Sequence, residues 1–75
     1  MSEYEARYKG DWVDVDEDDR GREQGVDHRK YWNRALDNVV NKVPQDDEGP
    51  FEVRKHIRVK HRSPGWVDGY RVDLN

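Results

Sequence analysis

Apolar and polar residues alternate most regularly between residues 51 and 62. There Phe51, Val53, Ile57 and Val59 share one parity, and Arg54, His56, Arg58, Lys60 and Arg62 share the other. A β-strand sends successive side chains to opposite faces, so the pattern predicts a half-buried strand with a cationic outer face. The N-terminus alternates too, with Tyr4, Ala6 and Tyr8 against Glu3, Glu5 and Arg7. After Lys9-Gly10-Asp11, the stretch Trp12-Val13-Asp14-Val15-Asp16 alternates again. Gly10 admits two readings. In a tight hairpin it would set Ala6 opposite Val13 and Tyr4 opposite Val15; otherwise it marks a bulge within one long strand. The hairpin is slightly favoured, although Lys-Gly is a weaker turn signal than Asn-Gly.

Mid-chain the period changes. Tyr31, Ala35, Val39 and Val43 recur every four residues, and Trp32, Leu36 and Val40 form a second row beside them. This broad stripe predicts an amphipathic helix over residues 28–43, packed on a sheet. Asp27 is placed to cap it, and Pro44 ends it by moving Val43 away from helical angles. Residues 17–26 have no apolar period and two glycines, so the segment at about 16–26 reads as a mobile acidic loop. Ser63-Pro64-Gly65 breaks the basic strand, Asp68-Gly69 reads as a two-residue turn, and Tyr70, Val72 and Leu74 alternate as a last strand. The expected fold is α+β: one helix on a small antiparallel sheet of three to four strands, order β(β)-α-β-β, in a single domain over residues 1–75. The helix stripe is expected to cover Tyr4, Ala6, Val13, Phe51, Val53, Ile57, Val59, Val72 and Leu74.

Composition adds a constraint. Apolar residues make up 32% of the 75 positions and charged residues 41%, with no cysteine. So small a chain buries only about 60% of its unfolded surface and has no disulfide or thiolate–zinc staple, which leaves oligomerisation as the common remedy. The eight aromatic rings argue for a folded chain against the high charge. The β-α-β-β order is similar to that of the dodecins, flavin-binding homo-oligomers, a likeness of architecture that implies assembly as the source of stability. A cytoplasmic, non-membrane protein is expected, since no apolar run approaches the roughly 20 residues of a bilayer span.

Candidate chemistry is sparse. The cations of residues 54–62 could bind phosphates, with Trp12 on the same outward face available to stack a base. The competing account is a ladder of ion pairs with Glu3, Glu5, Asp14 and Asp16, and it is the stronger one. Asp16, Asp18 and Gly21 match three positions of a calcium loop, but Arg20 stands where an oxygen ligand belongs and Asp27 where a bidentate Glu does. His56 and His61 have opposite parity and cannot share a metal on a regular strand. Ser2 and Ser63 are the only hydroxyl nucleophiles apart from the tyrosines. No enzyme activity, cofactor or metal is expected. Trp66 reads as a core cap at a turn or as an aromatic anchor for a partner. The sequence therefore predicts a protein-interaction module, a homo-oligomer docking through its outward sheet face, with Trp12, Arg54, Arg58, Lys60, Arg62 and Trp66 as partner contacts. Nucleic-acid binding through residues 54–62 is the alternative.

Overall fold

The computed structural model describes residues 5–19, 27–61 and 66–75. Its elements are β1 (Tyr8–Lys9), β2 (Val13–Asp14), a 3-10 turn (Glu17–Asp19), α1 (His28–Val40), β3 (Val53–Lys60) and β4 (Trp66–Leu74). β4 is the central strand, and every pairing is antiparallel. β3 runs along one edge of β4, while β1 and β2 follow one another along the other edge. One helix and this four-strand sheet make the expected α+β fold.

The hairpin reading of Gly10 is corrected. Tyr8 pairs with Leu74 and Val13 with Tyr70, so five steps along the N-terminal segment match four along β4. One residue bulges, and the segment is a single interrupted strand. The cause lies at Gly10, where an added Cβ would stand 2.3 Å from the Val72 carbonyl oxygen and 3.3 Å from Val39 Cβ. Its N–H donates to Asp73 Oδ1 at 3.1 Å. The glycine permits a close approach to the sheet, with no reversal of the chain.

Asp68-Gly69 is corrected as well, because β4 runs straight through it. Arg58 pairs with Gly69 and Val59 with Val67, so Asp68 is a bulged residue on β4. Ser63-Pro64-Gly65 and Arg62 lie outside the described residues, as do Tyr4 and the glycines of the acidic loop. That loop begins as the 3-10 turn.

The helix starts as its cap predicts: the Asp27 carboxylate accepts from the amides of Arg29 (3.1 Å) and Lys30 (3.4 Å). It ends at Val40, sooner than the apolar period suggests, because the next amides turn to closer carbonyls. Lys42 N–H donates to Val39 O and Val43 N–H to Val40 O, both at 3.0 Å. Tyr31, Ala35 and Val39 face the sheet and form the core with Val15, Tyr70, Val72 and Leu74. Tyr31 stacks on Tyr70 with ring centroids 5.2 Å apart, and Trp32 meets Tyr70 edge-on at 4.8 Å.

The largest correction concerns coverage. α1 lies over β4 and the N-terminal strand and leaves β3 open. Val53, Ile57 and Val59 do point to the helix side, paired with or beside Leu74, Tyr70 and Val67, yet they remain 47%, 52% and 57% exposed. One helix is about 10–12 Å across, and adjacent strands are about 4.8 Å apart, so it roofs two strands and cannot also reach a third.

Candidate interaction surfaces

The outward face of the sheet carries an ion-pair network. Arg58 crosses β4 over Gly69, which has no side chain to obstruct it, and reaches both neighbours. Its Nε donates to Asp68 Oδ2 at 2.8 Å and its Nη2 to Asp14 Oδ1 at 2.6 Å. Hydrogen bonding to Asp14, and then to Asp68, holds the guanidinium proton above its usual pKa despite desolvation. Asp73 is wholly buried. Its carboxylate meets the Gly10 N–H, Arg71 Nη2 at 3.1 Å and His56 Nε2 at 3.0 Å. Trp12 lies against two of these cations, with the Arg58 and Arg71 guanidinium carbons 5.1 and 5.0 Å from its ring.

The carboxylates that answer Arg58 and His56 of β3 therefore come from β2 and β4. The acidic segment at residues 16–19 turns instead to the helix. Asp16 Oδ2 accepts from Lys30 at 3.1 Å and lies 3.4 Å from Arg34, and the hydrogen bond from Lys30 lowers its pKa. Asp19 accepts from the Tyr31 hydroxyl. That hydroxyl in turn accepts from the Asp16 amide at 2.9 Å.

The second surface lies on the helix side. The helix row Trp32, Leu36 and Val40 forms a wall, and Val53, Ile57 and Val59 form the floor beside it. Leu36 is 38% and Val40 49% exposed. Lys55, exposed on the same floor between Val53 and Ile57, places its ammonium 5.3 Å from the Trp32 ring centroid. At the Val40 end of the wall lies an open cavity of about 550 Å³, lined by Val40, Val43, Pro44, Phe51 and Leu74 together with the polar Asn41, Gln45 and Asp47. The loop there is tied down by Asp47, which accepts from Arg7 at 2.7 Å and from the Tyr8 hydroxyl at 2.5 Å.

Of the residues singled out in the sequence, Trp12 and Arg58 come together in the network. Arg54 lies 3.9 Å from Glu52 on the same outward face, and Lys60 pairs with Trp66 at the far end of that face. Trp66 is half-buried. The trough residues Leu36, Val40, Val53, Ile57 and Val59 were assigned to the core and missed as a surface. The signal available was the second helix row, one more apolar row than a single sheet layer needs.

Among the described residues, no helix is long and apolar enough to cross a membrane, and no cluster of three or more His, Asp or Glu could hold a metal ion. Comparison of the chain with protein-family models, curated proteins and solved structures finds no match, so the likeness to the dodecins rests on element order alone.

Proposed function

We propose that this chain is a non-enzymatic protein-interaction module that docks through the trough between α1 and β3. One observation carries the reading: on the helix side β3 keeps Val53, Ile57 and Val59 about half exposed, with only Lys55 between them, and Leu36 and Val40 of the helix are exposed as well. Contiguous apolar surface of this kind marks sites of association on small proteins. Completing the burial of these five side chains is worth roughly 5 kcal/mol, comparable with the whole stability of a domain this size. Homo-oligomerisation is the form expected of so small a chain.

The docking surface thus moves from the outward face to the helix side. On the outward face Trp12 and Arg58 are already engaged with Arg71, Asp14 and Asp68. Nucleic-acid binding would draw on that same face and ranks second for the same reason.

Site-specific photo-crosslinking tests the reading. A benzophenone amino acid replacing Ile57 should give a discrete adduct heavier than 9.0 kDa, and the same group replacing the exposed Arg29 should not. Equal labelling from both positions, or none from position 57, would overturn it.

A further inference from the structure

We propose that β3 pairs along its open edge with β3 of a second copy of this chain, antiparallel and with His56 opposite its own copy, so that two sheets become one. This contact uses the edge of the strand and is independent of what fills the trough.

The backbone sets which residues would bond. Glu52 N–H donates to Asn75 O at 2.7 Å and Asn75 N–H to Glu52 O at 2.9 Å, so these two residues form a bonded pair. Bonded and non-bonded pairs alternate along an antiparallel ladder. Arg54, His56 and Arg58 therefore turn their amides and carbonyls toward β4, while Val53, Lys55, Ile57 and Val59 turn theirs away. Among the described residues, no segment pairs with that second edge. The strand contains no proline, and the extra residue of the bulge at Asp68 lies on β4, so the β3 backbone itself is uninterrupted. Such an edge is a template for another strand.

Register follows from symmetry and charge. Pairing about a two-fold axis requires an edge complementary to itself when reversed. With His56 on the axis, Glu52 stands opposite the partner's Lys60 at both ends of the overlap, an attractive pair made twice. Val53 meets the partner's Val59, also twice, as a bonded pair on the helix side. Lys55 stands opposite the partner's Ile57. Its ammonium lies 5.3 Å from the Trp32 ring centroid, toward the helix, and its stem is left beside that isoleucine.

The unfavourable pair is Arg54 opposite the partner's Arg58, and the fold draws the second of these charges off the edge. Arg58 crosses Gly69 to put Nε 2.8 Å from Asp68 on β4 and Nη2 2.6 Å from Asp14 on β2. Its guanidinium is thus set inward by about one 4.8 Å strand spacing and is met by two carboxylates. Arg54 has Glu52 at 3.9 Å, and His56 has its Nε2 3.0 Å from Asp73 of β4. Other registers are poorer. Centred on Ile57, the pairing sets Arg54 against the partner's Lys60. Centred on Lys55, it brings Glu52 to the partner's Arg58, a cation already bound, sets Lys55 against its own copy and shortens the overlap. Opposed residues of paired strands share a face, so both helices fall on one side of the joined sheet.

Hydrogen exchange by NMR and sedimentation equilibrium of the full chain, from micromolar to millimolar concentrations, test the pairing. The mass should rise toward twice 9.0 kDa. The amides of Lys55 and Ile57 should gain protection with concentration, while those of His56 and Arg58, already bonded to β4, should change little. Lys55→Pro removes an N–H that faces the edge and none that bonds β4, and should weaken association by about tenfold or more. Lys60→Glu sets like charges together at both ends and should weaken it by about tenfold. Adding Glu52→Lys to Lys60→Glu restores the pair with its sign reversed and should return the dissociation constant to within about threefold of the parent. These charge variants serve if Lys55→Pro fails to fold. A chain that stays at 9.0 kDa at millimolar concentration overturns the proposal. So does a dimer that leaves the Lys55 and Ile57 amides unprotected or ignores Lys60→Glu. A double swap that restores nothing overturns the register centred on His56.

Discussion

The two flanks of β4 are built on opposite terms. On one side the N-terminal strand is short, bulged and interrupted, with only Tyr8–Lys9 and Val13–Asp14 in regular pairing. It is nevertheless well held: α1 covers it, Val15 is buried, and Asp16 and Asp11 are tied to Lys30 and Lys42 of the helix and its end. On the other side β3 pairs with β4 along all eight residues from Val53 to Lys60, with one bulge opposite it at Asp68, and Val53, Ile57 and Val59 stay about half exposed. Regular alternation therefore says that a strand has two chemically different faces. It does not say that this chain supplies the cover for the apolar one.

The contrast should show first in the core beside the covered flank. Tyr70→Ala removes a fully buried ring that stacks on Tyr31 and meets Trp32, and should cost about 3–5 kcal/mol in urea denaturation. Ile57→Ala, its pairing neighbour on the open flank, should cost less than about 1 kcal/mol in the monomer. Equal losses from the two would break the comparison.

Next in size is the pair of glycines on either edge of the network. Gly10→Ala would drive a methyl group to 2.3 Å from a backbone oxygen, which can yield only by moving β4 or the N-terminal strand, at about 3 kcal/mol. Gly69→Ala meets the Arg58 Nη2 at 3.0 Å, the far end of a flexible side chain, and should cost about 1 kcal/mol. Thermal denaturation of the two variants should separate them in that order.

Acid should loosen the covered flank before the open one. The pKa values of Asp11, Asp16 and Asp47 are lowered, chiefly by hydrogen bonds from Lys42, Lys30 and Tyr8 respectively. Their contribution is complete above the ordinary carboxylate value near 3.8 and is lost as pH falls through the lower folded values. Amide exchange below about pH 4 should therefore rise in residues 8–16 before it rises in residues 53–60. At the other extreme, burial raises the phenol pKa of Tyr31 and Tyr70 above 10.0. Stability is full below that value and falls as pH climbs through the folded values, so tyrosinate absorbance should lag until the fold opens.

The smallest expected effect is on the outward face. Short single-stranded DNA or RNA at low salt should leave the amides of residues 54–60 and Trp12 unmoved, because Arg58 is held by Asp14 and Asp68. Salt-sensitive shifts concentrated there would restore the nucleic-acid reading.

The sequence by itself determined whatever depends on neighbours along the chain. Asp27 as the cap, the helix register of Tyr31, Ala35 and Val39, and the two faces of β3 all follow from local spacing and stereochemistry. The tertiary structure decided whatever depends on which segments meet. Gly10 looked like a turn because its value lies in the approach of Val72 and Val39, from segments far away in the chain. Asp68-Gly69 looked like a turn because the crossing of Arg58 over Gly69 exists only once β2, β3 and β4 lie side by side. The trough stayed hidden for a related reason. Apolar residues of core and interface obey the same period, and only the width of one helix laid over three strands separates Val72 and Leu74, which it covers, from Ile57 and Val59, which it does not.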